Sequence, residues 1–324
     1  MKFGMGILPN FLRTSSNMKL SVIESWLKKN KISYQLYNPN YDLEVSPGSF
    51  KNKINFGFYH ISKGFNSDIS DINNSIFFCE ENIETTCTKI ILKNAQLVQY
   101  KLLSDFYIEP SHEIHATAII HSEALIGKNV NVGPYSVIGK CEIADNVNIQ
   151  SHVVIYDKTK IESGVFIDSN SNIGPAGLVW VWDEEGNRVN QPQTGGVHIY
   201  KNCHIGTDIT IVRGSFSEDT IVGEGTVMAH GTKIGHSSII GRFVHMANNV
   251  SIAGNTTLGD RSFFGSGAVV PPNIRIPMNT IVGAGAVVNK NFNEEHLTLV
   301  GVPAKILYTE NYKIKSNGTP LPFK

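Results

Sequence analysis

From Val222 to Val288 the chain sets an apolar side chain at every sixth position: Val222, Met228, Ile234, Ile240, Met246, Ile252 and onward to Val282 and Val288. The next residue is usually small, as at Gly223, Ala229, Gly235 and Gly241. Four places after each apolar residue comes another small or β-branched one, as at Thr226, Thr232 and Ser238. A helix would repeat at about 3.6 residues and a plain amphipathic strand at about 2. A fixed short period sustained this long predicts a solenoid. Six residues fit one flat side of a parallel β-helix, so three hexads make one coil of 18. In this reading the aliphatic residue points inward and the small one turns the corner. Residues 18 apart then stack one coil above another, roughly 4.8 Å apart.

The same beat starts at Ile114 and runs through Ile138, slips by one residue at Ile143, and continues to Ile173. A polar and aromatic stretch from Gly174 to Gly196 interrupts it, and RGSFSEDT from Arg213 to Thr220 makes it pause again. Insertions in a solenoid project from one face and are often where binding occurs. After Val288, NKNFNEEHLTLVGVPAKIL reads as a short cap, which an open β-helix end requires. The first 108 or so residues lack the hexad. Lys19–Lys29 and Asn94–Tyr107 have helical spacing, while INFGFYHI, SIFFC and KIILK read as strands. The expectation is an N-terminal α/β domain over 1–110, a β-helix over 111–292, and a cap and tail over 293–324.

With 28 basic and 28 acidic residues in 324, the chain has no net field to draw it to nucleic acid or an anionic membrane. It has no apolar run of about 18 residues. Pro9 and Asn10 break the N-terminal apolar patch, so no signal peptide is read. Cys79, Cys87, Cys141 and Cys203 lack disulfide or zinc spacing and read as reduced thiols of a cytoplasmic protein, with no metal expected. Walker-type and GxGxxG phosphate loops are absent, since the glycines follow the hexad.

The candidate chemistry lies on one corner. Gly254 follows His236 by 18 residues, which stacks it on the same edge one coil along, and Pro272 and Lys290 extend the line. An imidazole with a pKa near ~6.5 suits the removal of a proton from an attacking nucleophile. A backbone N–H at Gly254, roughly 5 Å away, has the spacing of an oxyanion donor.

The motifs IGPAG, GNRV, QPQTGGVHI, DTIVGEGTV, KIGHSSIIG and SIAG between Ile173 and Gly259 resemble the UDP-3-O-acylglucosamine N-acyltransferase family of lipid A biosynthesis. INFGFY and KIILKNAQ resemble segments of its N-terminal domain. The tail, with GSGAVVPPNIRI, VGAGAVV and VGVPAKIL, resembles hexapeptide enzymes that use acyl-CoA. The resemblance implies a mainly β fold: a left-handed parallel β-helix with a small N-terminal α/β domain and a short C-terminal cap, assembled as a homotrimer. It also puts His236 on the catalytic histidine and Gly254 on the glycine whose N–H meets the thioester oxygen. Phe56 falls on the phenylalanine that stacks the nucleotide base. Tyr59 stands where the family has asparagine, and Ser62 where it has a second aromatic, which opens the choice between UDP and dTDP. Trp180 and Trp182 lie where the family reads GFGY and this chain reads GLVW, bordering the sugar. Pro272 and Lys290 would follow a pantetheine arm, with Lys305 toward the phosphates of CoA.

The expected function is N-acyl transfer from acyl-CoA to a nucleotide-linked amino sugar, such as a dTDP-4-amino-4,6-dideoxy sugar. One alternative is the lipid A enzyme itself, fed by acyl carrier protein. The other is a non-catalytic β-helix scaffold.

Overall fold

Each hexad folds as a strand of two or three residues followed by a tight corner. The computed structural model describes residues 18–106 and 113–308. The chain divides into two compact units, Met1–Pro110 and Ser111–Lys324.

The second unit is a three-sided prism. One face stacks eight strands from Ile119–Ile120 to Val269–Val270, a second stacks eight from Leu125–Ile126 to Arg275–Ile276, and a third stacks ten from Asn131–Val132 to Lys305–Tyr308. Pairing is parallel throughout except at the end, where Lys305–Tyr308 folds back antiparallel on Thr298–Val300. Register follows the sequence spacing. Lys233 pairs with Ser251, and Ser251 with Val269, 18 residues apart each time. At the phase slip one coil tightens to 17, as Ile126↔Ile143, Val132↔Ile149 and Ile138↔Ile155 show on all three faces. The two interruptions are loops between coils: Ile161 pairs with Ile199 across the first and Ile199 with Val222 across the second.

The aliphatic row fills the prism, with Val222, Met228, Met246, Phe264, Val270 and Val282 fully buried. Each such side chain is worth roughly 1.5–3 kcal/mol of burial. The second small row is buried as well, and in the long run from Val222 its hydroxyls find backbone carbonyls. Thr226 donates to Gly241 O at 2.9 Å, Ser238 to Ala253 O at 3.1 Å and Ser262 to Pro277 O at 3.1 Å. A buried hydroxyl is tolerated when it finds such a partner.

The corner itself differs from the sequence reading. From Gly225 to Gly285 every sixth residue has positive φ, including Gly231, Ser237, Asn249, Asn255 and Asn273. The chain therefore turns at the third residue after the aliphatic one, where glycine and asparagine adopt the left-handed conformation most readily. The small residue directly after the aliphatic one is small for another reason. A Cβ at Gly223 would stand 2.6 Å from the Gly241 backbone on the next coil.

The first unit is a six-stranded sheet. Its strands are β1 (Met18–Lys19), β2 (Gln35–Tyr37), β3 (Glu44–Pro47), β4 (Gly57–Ile61), β5 (Ile76–Cys79) and β6 (Thr88–Ile91), in the order β1-β3-β4-β5-β6-β2. β3 to β6 run parallel, and the two outer strands are antiparallel to their neighbours. Helices α1 (Leu20–Lys29) and α2 (Ala95–Phe106) share a core with Phe58, Ile76, Phe78 and Ile90. The opposite face buries Tyr59, Ile61, Phe77 and Cys79. Among the described residues no helix is long and apolar enough to cross a membrane.

Candidate functional site

His236 sits at the corner between Lys233–Ile234 on the first face and Ile239–Ile240 on the second. The register line drawn from the sequence is present. Asn255 N donates to His236 O at 2.8 Å, and Asn273 N donates to Gly254 O at 3.1 Å. The half-buried imidazole lies directly against Gly254, with its Nε2, Cδ2 and Cε1 atoms filling the place that a Cβ at 254 would take. Any Cβ at 254 would collide with the ring, so glycine is required for the ring to rest there. Ala253 and Asn255 donate their N–H groups to Val270 and His236, whereas among the described residues no acceptor takes the Gly254 N–H. An imidazole nitrogen and an uncommitted backbone donor thus share one edge.

The other ring nitrogen is engaged. His236 Nδ1 lies 3.0 Å from Ser215 Oγ and 3.5 Å from Ser237 Oγ. Ser215 belongs to the RGSFSEDT pause and is buried. Its N–H donates to Ser237 Oγ at 3.0 Å, and the Ser237 hydroxyl donates to Glu218 Oε1 at 2.9 Å. Glu218's own backbone N–H and the Ser237 hydroxyl hold its carboxyl below the usual carboxylate range. The two interruptions of the hexad meet here. Thr194 at the end of the first donates its N–H to Ser215 O at 2.9 Å and its hydroxyl to Phe216 O at 3.0 Å. Sequence reasoning missed Ser215, Ser237 and Glu218. The available signal was the pause in the hexad, which lengthens the coil from Ile199 to Val222 to 23 residues.

Further along the edge, Pro272 and Lys290 are exposed. Lys290 Nζ stands 5.4 Å from the centre of the Phe292 ring. Lys305 begins the strand that closes the third face, so it lies off the His236 line. Its neighbour Ala304 donates to Val287 O at 2.8 Å, which keeps Lys305 at the coil that carries Lys290.

The first insertion forms an antiparallel hairpin of Trp180–Trp182 and Arg188–Asn190. Trp180 is 45% and Trp182 65% exposed, and the Arg188 guanidinium lies 5.9 Å from the Trp180 ring. The foot of the insertion is fastened by Arg213, which donates to Gly174 O at 2.8 Å and Asp157 O at 2.9 Å. These two tryptophans are presented outward, with no core duty to account for them.

In the first unit Phe56 and Tyr59 part company. Phe56 precedes β4, is 51% exposed and has φ of 60°, a conformation that a bulky side chain rarely adopts. Backbone bonds on both sides hold it there, from Ser46 N to Phe56 O at 2.9 Å and from Phe56 N to Asn73 O at 3.3 Å. Tyr59 does not face a ligand. It is 1% exposed and stacked between Phe50 and Phe77 at 5.0 and 5.3 Å. Its hydroxyl bonds both Ile54 N and Ile54 O at 2.7 Å, and its ring covers Gly48 and Gly57. Strand alternation points Tyr59 into the core, where it braces the loop that displays Phe56.

The four cysteines are free and buried. Desolvation pushes the thiols of Cys79 and Cys203 up to about 12 and that of Cys141 up to about 11, leaving them inert at neutral pH. Among the described residues no group of three His, Cys, Asp or Glu side chains is placed to hold a metal.

Residues 123–157 match the family described as bacterial transferase hexapeptide (six repeats). A UDP-3-O-acylglucosamine N-acyltransferase from Coxiella burnetii is 31% identical over 174 residues, 47% of this chain and 51% of that protein. An acyl-[acyl-carrier-protein]–UDP-N-acetylglucosamine O-acyltransferase from Rickettsia typhi is 48% identical over 62 residues, 19% of this chain and 24% of that one. The chain thus spans about half, or less, of the curated relatives it matches. The crystal structure of UDP-N-acetylglucosamine O-acyltransferase (LpxA) from Moraxella catarrhalis superposes with a TM-score of 0.55 at 27% identity, covering 60% of this chain and 73% of that one. The prism is therefore a left-handed β-helix built on the hexapeptide repeat of bacterial transferases.

Proposed function

We propose that this protein is an N-acyltransferase that moves an acyl group from acyl-CoA to the amino group of a nucleotide-linked amino sugar. The observation that carries the reading is the His236 ring, held against Gly254 with Nδ1 hydrogen-bonded and the Nε2 edge beside an uncommitted N–H. The sugar amine attacks the thioester carbonyl, and His236 Nε2 takes the proton that the new C–N bond makes acidic. The Gly254 N–H meets the oxyanion, an interaction worth about 2.7–4 kcal/mol where such donors have been removed. Collapse expels the thiolate, which takes the proton back from the imidazolium, so the base is restored.

Phe56 stacks the base of the nucleotide, dTDP or UDP, and Trp180 with Trp182 contributes to the sugar's surroundings. Pro272, Lys290 and Lys305 line the path of the CoA arm. Lys290 lies three coils from His236, about 14 Å at ~4.8 Å per coil, a span that a pantetheine arm covers. The working assembly is a homotrimer in the cytoplasm. The outward row of the third face supports it, with Phe166 against His204 at 4.7 Å and His245 against Phe263 at 5.4 Å, both pairs partly open to solvent.

A second reading keeps the chemistry and changes the donor to acyl carrier protein, which the name of the Rickettsia relative favours. Thiol release with a panel of dTDP- and UDP-amino sugars separates the two. Acyl-CoA should support turnover, and Lys290→Ala and Lys305→Ala should raise its KM with kcat near normal, the pattern of lost uniform binding. Turnover with acyl carrier protein and none with free acyl-CoA selects the second reading. No turnover with either donor across the panel leaves the scaffold.

A further inference from the structure

The imidazole of His236 is tied to more than one serine. Its Nδ1 meets Ser215 Oγ at 3.0 Å, Ser215 Oγ lies 3.3 Å from Ser237 Oγ, and Ser237 Oγ lies 2.9 Å from Glu218 Oε1. One tautomer leaves Nε2 free to act as a base, and the hydrogen bonds at Nδ1 suit it. Glu218 is a carboxylate and accepts only, so the Ser237 hydroxyl must donate to it. Ser237 Oγ then has lone pairs left, and it accepts from the Ser215 N–H at 3.0 Å, while its own hydroxyl is directed at both Glu218 Oε1 and Ser215 Oγ. Ser215 Oγ in turn accepts from Nδ1–H. The tautomer that results carries its proton on Nδ1 and its lone pair on Nε2, at the Gly254 side of the ring.

We propose that Ser215, Ser237 and Glu218 form a positioning relay that fixes the tautomer of His236 and stabilises the imidazolium formed when it takes a proton. This deepens the acyl-transfer reading and rests on it. Among the described residues no carboxylate touches the ring directly, so Glu218 acts on it through Ser237, whose hydroxyl lies between Glu218 Oε1 and the Ser215 Oγ that meets Nδ1. The carboxylates around this corner come from the RGSFSEDT segment. Glu218 is joined through Ser237, while Asp219 is occupied by the Gly196 N–H at 2.7 Å.

Three further observations support a built relay. Ser237 occupies the left-handed slot of its corner, φ 56°, where Gly225, Gly231, Asn249 and Asn255 stand at neighbouring corners. A serine gains nothing conformationally there, and its hydroxyl is fully engaged. Its backbone is held as well, since Ser237 N donates to Thr220 Oγ1 at 2.9 Å. Ser215 is 7% exposed and fixed at its carbonyl by the Thr194 N–H, so its hydroxyl cannot wander from Nδ1.

The test uses two variants and a readout that needs no substrate. Ser237→Gly removes the middle hydroxyl while suiting the left-handed backbone, and Ser215→Ala removes the first. Each should lower kcat about 10-fold to 100-fold, below the full cost of losing a general base, with KM for both substrates within about twofold. Ring-15N NMR of the substrate-free protein, with the His236 signals identified by their loss in His236→Asn, should show Nδ1 protonated and Nε2 bare. In both serine variants that preference should weaken. A wild-type ring protonated on Nε2, or wild-type kcat in both serine variants, overturns the relay. If His236→Asn retains full turnover, His236 is not the base and its part in the acyl-transfer reading fails instead, while the ring spectrum still reports whether the hydrogen-bond chain sets the tautomer.

Discussion

Two adjacent corners of the prism use the same hexad slot in opposite ways. At one, the second residue after the aliphatic row is His236, and the residue stacked on it is Gly254. At the next, that slot holds Arg242, and Asp260 is stacked on it. Asp260 accepts from the Arg242 backbone N–H at 2.8 Å and from its guanidinium at 2.9 and 2.6 Å, which closes the edge. The same device recurs where Asp145 and Asp157 take the N–H groups of Lys128 and Lys140 at 2.7 Å. Gly254 offers no side chain, so the imidazole rests on bare backbone and the donor stays uncommitted. The backbone is common to both corners. One absent carboxylate separates a corner closed by its own ion pair from the open corner on which the proposed chemistry rests.

Importing the closed design should have the largest effect. Gly254→Asp puts a Cβ into the imidazole and a carboxylate beside a developing oxyanion, so turnover should fall by about 10³-fold or more, combining losses of base geometry and oxyanion donor. Far-ultraviolet circular dichroism and the sedimentation profile should stay those of the folded protein. Substantial turnover in Gly254→Asp would mean that the two corners are interchangeable and the comparison empty.

A middle-sized effect is expected at the first unit. Phe56→Ala should weaken binding of dTDP or UDP by about 1–3 kcal/mol, the range for base–aromatic stacking, measured by calorimetry. Affinity for acyl-CoA should be unchanged. Tyr59→Phe should also weaken the nucleotide, by less, because it frees the Ile54 loop that displays Phe56. Equal loss of both ligands in Phe56→Ala would point to unfolding of the unit.

The closed corner should give the smallest effect. Burial works against the ionised form of Asp260, but the Arg242 N–H and guanidinium outweigh it and hold the carboxyl below its ordinary value of 3.8. A carboxylate depressed in the folded state contributes stability that is complete above the unfolded pKa and is lost as pH falls through the folded one. Asp260→Asn should therefore cost about 1 kcal/mol or less at neutral pH, with no change in turnover, and the cost should shrink on acidification below pH 3.8. Thermal melts at neutral and acid pH give the difference directly. A loss of activity in Asp260→Asn would place this corner in the site.

The contrast also marks what the sequence made legible. The hexad disclosed the faces, the 18-residue register and the His236–Gly254 edge, because a solenoid converts spacing into position with no long-range pairing to guess. The turning residue was misassigned, since Gly223 and Gly235 are small for coil-to-coil contact while Gly225, Gly231 and Ser237 carry the positive φ. The relay was hidden because Ser215 and Glu218 lie in an insertion that has no period. The helices and central strands of the first unit were legible from their spacing. The outer strands Met18–Lys19 and Gln35–Tyr37 were too short to show one, and the inner strand Glu44–Pro47 was missed. Tyr59 was read as a binding aromatic, although strand alternation alone points it to the face opposite Phe58.

The measurement that tests the central claim most directly is steady-state thiol release by His236→Ala, with acyl-CoA and the amino-sugar nucleotide that the panel identifies. The account predicts a kcat lower by about 10²-fold or more, with KM for the nucleotide sugar within twofold of wild type. A variant that keeps most of its turnover would contradict it, and the amine's proton would then leave by water, substrate or the departing thiolate.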